Sequence, residues 1–519
     1  MSRIQRILAW GLFTLVLLVL SGWLLADHLT PRAFGVPSHA LPLQAAQTEL
    51  DREIVPLVAR HDGQTGIILV PDGLDAFAAR ALSARKAGRS LDLQYYIWHN
   101  DPTGRLLAYE AWKAAERGVR VRILLDDLNT EGDDTDLLAL DAHPGIDIRV
   151  YNPFRNRSGP LRVLELVQRF FSVNHRMHNK AWIADGRVAV LGGRNIGQEY
   201  FDASTDTNFR DLDVVLFGPK VVQASAIFDA FWNSEAALPI SALSKASPEQ
   251  LANAVARVKA EAQGDSAKRY YRRMDASETV RGYFRGELTP HWSRSIEVAS
   301  DPPLKWKQDD RSGWLVNKLA AKIFGAKREA LLVSPYFVPG ETLTARLVGL
   351  AQREDVAVGV VTNSLAANDV PAVHAGYASY RGQLLDGGVE LYELRAQGAG
   401  ETHGLFGSSG ASLHTKAFVI DGERGFIGSF NLDPRSAYLN TEMGVLFEDD
   451  DIARALREEY LFLAGPALSY EVCRDEAGEL CWLDRTEDPP LVLHEEPQTT
   501  FLQRATATAI GWLPIESQL

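Results

Sequence analysis

Two copies of one eight-residue pattern, 236 residues apart, constrain this chain more than anything else in it. His178-Asn179-Lys180 is followed by Asp185, and His414-Thr415-Lys416 is followed by Asp421. After each lysine comes an apolar run, then Asp-Gly, a second apolar run, and a tail of form Gly-x-x-Asn. The tails are Gly192-Gly193-Arg194-Asn195 and Gly428-Ser429-Phe430-Asn431. Alternation along a strand sends the histidine and the lysine to one face. Asp-Gly is a tight-turn pair, so each copy predicts a β-hairpin. The glycine and asparagine then open a loop where backbone and amide donors approach an anion. One copy offers half a site, so the chain is expected to fold as two similar halves that face each other.

The chemistry follows from the residue types. Two facing copies bring two imidazoles, two ammoniums and two carboxamides to one point. In a phosphodiester site of this kind one histidine attacks phosphorus and the other protonates the leaving oxygen. Lys180, Lys416, Asn195 and Asn431 hold the phosphoryl oxygens. Fixed cations supply the charge stabilisation, so the site calls for no metal and no cofactor. Two unrelated hairpins with incidental histidines would explain one copy, but not two with matching tails. His175 and His403 lack the spacing and read as ordinary polar residues at the rim.

The order of elements repeats with the motifs. In the first half, 74–86 predicts a helix, 91–98 a strand, 106–117 a helix, and 119–125 and 146–151 strands. In the second, 314–324 is a helix, 330–338 a strand, 343–353 a helix, and 357–362 and 389–394 strands. Strand–helix–strand order predicts parallel pairing with helices on the sheet faces. The offsets of Tyr96 to Tyr336 and of Ile123 to Val360, 240 and 237, stay close to that of the histidines. This is an internal duplication with the site on a pseudo-twofold seam.

The motifs and their wording, Arg-Met-His-Asn-Lys, Gly-Gly-Arg-Asn-Ile-Gly, Gly-Ser-Phe-Asn-Leu-Asp-Pro-Arg-Ser and Leu-Asn-Thr-Glu-Met-Gly, resemble the phospholipase D superfamily. Within it they are most similar to bacterial cardiolipin synthases of the C-type branch. The likeness runs from about Leu74 to the C-terminus and is weakest around 240–310. It implies an α/β fold of two mixed or parallel-sheet halves about a pseudo-twofold, with helices outside. The implied activity is phosphatidyl transfer from one phospholipid, phosphatidylethanolamine or phosphatidylglycerol, to phosphatidylglycerol, giving cardiolipin through a phosphohistidine. With water as acceptor the same site is a phospholipase D, and residue types do not separate the two. The family precedent makes His178 the nucleophile and His414 the general acid, then base.

A nucleophilic imidazole must be held in one tautomer, which a carboxylate behind it achieves. Glu442, 28 residues after His414, and Asp211, 33 after His178, are the expected orienting acids, and the resemblance implies the same two. Asp213 is the rival of Asp211. Asp185 and Asp421 belong to the catalytic motifs but sit at the hairpin turns, where a structural role, tying the halves together, fits them better. Arg194 departs from the usual tail and either contacts phosphate or headgroup or points to solvent. Asp126, Asp127, Asp133, Asp134 and Asp136 cluster after one strand; their spacing misses the EF-hand pattern, and an exposed acidic loop is expected rather than a metal site.

The formal net charge of −13, without a Lys/Arg-rich block, argues against a nucleic-acid partner and against a nuclease. Intact paired motifs argue against an inert scaffold. Arg3 and Arg6 precede an uncharged apolar run from Ile7 to Ala26, long enough to cross a bilayer. An uncleaved N-terminal anchor is expected, a cleaved signal being the alternative, with the body outside. In a two-membrane bacterium that is the periplasmic side of the inner membrane. In that compartment the only two cysteines, Cys473 and Cys481, are expected to form a disulfide. The expected organisation is an anchor over 1–30, a first half over 31–238 beginning with a Pro-containing linker, a helical connector over 239–310, and a second half over 311–519. The C-terminal stretch 501–515 is read evenly as an interfacial helix or as a helix docked on the second half. Phospholipids and the inner membrane are the expected partners, and the residues leave open an accessory protein.

Overall fold

The computed structural model describes residues 34–130, 132–157, 159–396, 411–513 and 516–519, with a few of the first 33. Each half is built on one large mixed sheet. The first sheet has nine strands, in the order 291–293, 65–70, 213–217, 188–192, 181–184, 90–95, 120–126, 146–151, 237–239. The second has ten, in the order 296–300, 443–448, 424–428, 417–420, 329–333, 357–363, 390–394, 469–474, 480–484, 491–493. In both, the three strands that alternate with helices pair in parallel, and the motif hairpin lies antiparallel beside them. The sequence repeat is thus a structural repeat.

Local signals place the elements. Asp72 caps the helix Gly73–Lys86 by accepting from Asp75 N–H at 2.9 Å, and Ala76, Ala81 and Ala84 on that helix are fully buried. Pro102 opens the helix Pro102–Glu116 behind an Asp101 cap. The connector helix Pro248–Ala262 starts with a capping box from Ser247 and Gln250. At each motif hairpin both turn residues have positive φ, Asp185 at 54° with Gly186 at 64°, and Asp421 at 58° with Gly422 at 66°. Arg187 N–H and Glu423 N–H close these turns on Ala184 and Ile420, as the primed hairpin turns require.

Several expectations change. The Pro-containing linker expected at the start of the first half, read over 30–65, holds the helix Glu49–Ala59 and leads into the strand Thr65–Val70, which lies inside the first sheet. The connector is not only helical. Its helices pack on the first half, but 291–293 joins the first sheet and 296–300 the second. The chain therefore passes from one sheet to the other at Arg294-Ser295. The acidic residues after 125 are not an exposed loop. Asp126 and Asp127 are buried; Asp126 meets Arg176, Arg157 reaches Asp127 and Asp134, and Asn100 donates to Asp133 and Asp136. The cysteines form the expected disulfide, across the hairpin of 469–474 and 480–484.

One apolar core spans the seam, joining Leu191, Val214 and Phe228 of the first half to Val445, Leu456 and Leu463 of the second. A two-stranded parallel ladder of 208–210 with 411–413 also crosses it. The C-terminal helix Phe501–Gly511 lies on the helix Pro371–Asp386, yet Phe501, Leu502, Trp512 and Leu513 are exposed. The span expected over 7–26 lies mostly outside the described residues, as does His403. Among the described residues no helix is long and apolar enough to cross a membrane.

Candidate active site

The two histidines sit just ahead of their strands rather than on them, since the strands begin at Ala181 and Ala417. Each is fastened by the other half. His178 N–H donates to Thr441 carbonyl at 2.9 Å, and His414 N–H to Arg210 carbonyl at 2.7 Å. These backbone bonds cross the seam and carry the orienting acids with them. His178 Nδ1 meets Glu442 Oε2 at 2.8 Å, and His414 Nδ1 meets Asp211 Oδ2 at 2.6 Å. Each acid therefore serves the histidine of the opposite motif, a crossing that the spacing within one half does not suggest. With Nδ1–H donated to a carboxylate, the Nε2 lone pair of each ring is left for chemistry.

The site is buried and cationic. His178 and His414 retain 7% and 5% exposure, and both lysines are buried. Burial, with Lys180 and Lys416 nearby, holds both imidazoles well below their usual range and so neutral. Burial likewise brings the Lys180 ammonium down to about 7 and that of Lys416 to about 8. Each lysine donates to the carbonyl of its own motif histidine, Lys180 at 2.7 Å. Glu442 is pushed up to about 7 by burial, against the pull of Lys180. Asp211 is also raised by burial. Tyr96 packs on the His178 ring at 5.0 Å, and Tyr200 and Phe209 each on His414 at 5.2 Å.

The tails differ between copies. Gly193 faces Asp211 so closely that a Cβ there would lie 2.2 Å from Oδ1. Its counterpart Ser429 instead donates to Glu442 Oε2 at 2.5 Å and accepts from Met443 N–H at 3.0 Å. Asn195 is occupied, accepting from Ile97 N–H at 3.2 Å and donating to Tyr200 hydroxyl at 2.9 Å. Asn431 Oδ1 is buried with no hydrogen-bond partner among the described residues, which leaves this carboxamide the freer of the two.

Asp185 and Asp421 do not tie the halves together. Each binds within its own half, Asp185 accepting from the N–H groups of Gly88, Arg89 and Ser90, and Asp421 from those of Lys327, Arg328 and Glu329. They pin the hairpin turn to the start of the neighbouring strand. Arg194 neither meets solvent nor faces the histidines. It is fully buried, donates to the carbonyls of Val70, Pro71 and Tyr200, and lies 3.7 Å from Asp213. Asp213, the rival orienting acid, pairs with Arg80 at 2.9 Å. His175 stacks on Trp306 at 5.0 Å and binds Leu439 carbonyl through Nδ1. Ser429 and the aromatic wall were not singled out as site residues; Ser429 had a signal, its place in the Gly-x-x-Asn tail.

Comparison with known proteins bears on what such a site belongs to. The family model described as "Cardiolipin synthase, PLD-like domain" matches residues 83–232 and 319–461, one match in each half. Cardiolipin synthase C of Escherichia coli (strain K12) is 40% identical over 468 residues, 89% of this chain and 98% of that one. A cardiolipin synthase of Staphylococcus aureus (strain Mu50) is 26% identical over 75% of this chain and 65% of its own. The crystal structure of phosphatidylserine synthase from Haemophilus influenzae Rd KW20 shares the fold, with a TM-score of 0.54 at 14% identity over 88% of this chain and 95% of that one. With a family match in each half and a relative aligned over nearly its full length, the chain belongs to the phospholipase D-like cardiolipin synthase family.

Proposed function

We propose that this protein is a phosphatidyltransferase that makes cardiolipin from phosphatidylglycerol and a second phospholipid, phosphatidylethanolamine or phosphatidylglycerol. The observation that carries the reading is the pair of crossed dyads, His178–Glu442 and His414–Asp211, with both lysines around them. His178 Nε2 attacks phosphorus of the donor lipid and a P–N bond forms. The bond from phosphorus to the headgroup oxygen breaks, and that oxygen takes a proton from His414. The hydroxyl of the acceptor lipid then returns a proton to His414, its oxygen bonds phosphorus, and the P–N bond breaks.

The electrostatics suit an anionic substrate. In the empty site burial, with the two lysines, holds His414 neutral. A bound phosphodiester adds negative charge among them, and Asp211 at 2.6 Å stabilises the imidazolium that must form. The lysines supply the charge stabilisation at phosphorus that a metal ion gives elsewhere, so the proposed reaction is metal-independent. The proposed location is the inner membrane, with an N-terminal anchor and a periplasmic body. The exposed Phe501, Leu502, Trp512 and Leu513 and the disulfide fit that place.

Purified protein in detergent would receive labelled phosphatidylglycerol alone or with phosphatidylethanolamine, each with and without EDTA. Cardiolipin formed despite EDTA is expected, and dependence on phosphatidylethanolamine would name the donor. Phosphatidic acid without cardiolipin would make the enzyme a phospholipase D and refute the transferase.

A further inference from the structure

Glu442 is held by more than its histidine. Asp301, which follows the connector strand Ile296–Ser300, clasps the Glu442 backbone from both sides: Asp301 N–H donates to Glu442 carbonyl at 2.9 Å, and Glu442 N–H donates to Asp301 Oδ2 at 3.0 Å. The other carboxylate oxygen of Asp301 accepts from Leu315 N–H at 2.8 Å. Lys305, in the short turn that follows, is completely buried. Its ammonium donates to Asp301 Oδ2 at 3.0 Å and to the carbonyls of Ser436 and Asn440 at 3.0 and 2.9 Å. It thus joins the connector, the helix Pro434–Tyr438 and the segment that enters Glu442. Such a buried pair is not retained cheaply, because each ion loses its hydration.

The first half solves the same problem differently. Behind Asp211 stands Arg194, from the motif's own tail, with Asp213 and Arg80 completing the network. Behind Glu442 the equivalent tail position, Phe430, carries no charge, and the cation comes from the connector instead.

We infer that Asp301 and Lys305, which belong to neither motif, are positioning residues for the His178 dyad: they fix the backbone and the charge environment of Glu442, and through it the ring direction of His178. This rests on the function proposed above. Among the described residues, the charged and hydrogen-bonding groups that face Glu442 include His178, Lys180, Lys305, Lys416, Asp301, Asp433, Ser429 and Ser436. Among them Lys180, Lys305 and Lys416 favour the carboxylate form.

The test compares full-length wild type, Lys305→Gln and Asp301→Asn in detergent, reading cardiolipin formation against pH, with thermal melts alongside. Lys305→Gln keeps donors but no charge. The expected result is kcat lower by tenfold or more with KM within twofold, and an acid limb of kcat moved to higher pH, because Glu442 then ionises later. Should Lys305→Gln not melt cooperatively, Asp301→Asn gives the opposite readout: it keeps an acceptor for Glu442 N–H but removes the anion beside it, and is expected to lower kcat and move the acid limb to lower pH. Folded variants with wild-type kcat and pH profile would overturn the inference. So would a lower kcat with an unmoved acid limb, which is what a merely structural role produces. The wild-type rate tests the proposed function separately, since turnover by wild type that is unchanged in the variants refutes only the positioning role.

Discussion

Replacing Glu442 by Gln probes the crossed dyad most sharply. Gln keeps the shape and an acceptor for His178 Nδ1–H, but removes the charge. Nδ1 and Oε2 lie 2.8 Å apart in a buried setting. At an effective dielectric constant of about 20, unit charges about 3 Å apart attract by about 6 kcal/mol. Attack on phosphorus places roughly half a unit of positive charge on the His178 ring, so the carboxylate favours the transition state by about 3 kcal/mol. That corresponds to about two powers of ten in rate. Since the interaction grows only as the ring becomes positive, the loss should fall on kcat, with KM within about twofold. The assay is initial-rate cardiolipin formation in mixed micelles at saturating lipid. The acid limb of the wild-type profile, near the Glu442 value of about 7, should also disappear. A kcat within threefold of wild type, or an intact acid limb, would refute the assignment of Glu442 to His178.

Other expectations follow from the same geometry. Gly193→Ala places a Cβ 2.2 Å from Asp211 Oδ1; it should displace that acid and lower kcat by about tenfold or more, read by the same rate assay. Asp421→Ala removes the acceptor of three backbone N–H groups and leaves a non-glycine residue at φ 58°. It should destabilise the fold by about 3–4 kcal/mol while leaving kcat of the folded fraction within about threefold, measured by denaturant melts and active-site titration. Its carboxyl is held below the usual range by those N–H groups, so its contribution is present above the unfolded carboxylate value. The gap between the two proteins should close as pH falls through the lower folded value. Lys180 at about 7 and Lys416 at about 8 lose charge in the empty site on the alkaline side. The kcat/KM profile should therefore begin to fall near pH 7 and fall more steeply above about pH 8, and the kcat profile at higher pH, because bound phosphate stabilises the ammonium forms.

Much of the site was legible because its chemistry repeats. His178, Lys180, His414 and Lys416 stand out by spacing, and Glu442 and Asp211 by lying just ahead of the apolar runs that form the strands flanking the hairpins. What spacing does not show is which acid meets which histidine. Nearness in sequence suggests partners within a half, whereas the backbone bonds of His178 to Thr441 and of His414 to Arg210 swap them. Asp185 and Asp421 share the motif, yet a carboxylate at a positive-φ turn is best used on nearby backbone N–H groups. The helix Glu49–Ala59 was hidden because the prolines at 31, 37 and 42 made the stretch 30–65 read as linker. In 291–300, short runs beside charged residues gave no strand pattern, and both pair only with distant strands. Asp301 and Lys305 were illegible for the same reason: their partners are about 130 to 140 residues away.

The central claim is that two half-sites make one reaction centre in which His178 carries the phosphatidyl group. The most direct test is acid-free trapping of protein exposed briefly to donor lipid labelled at phosphorus, followed by peptide mapping. Label is expected on His178, absent from His178→Ala, and accumulating in His414→Ala with a donor whose headgroup leaves without protonation. Turnover with no covalent label, or label on His414, would contradict it.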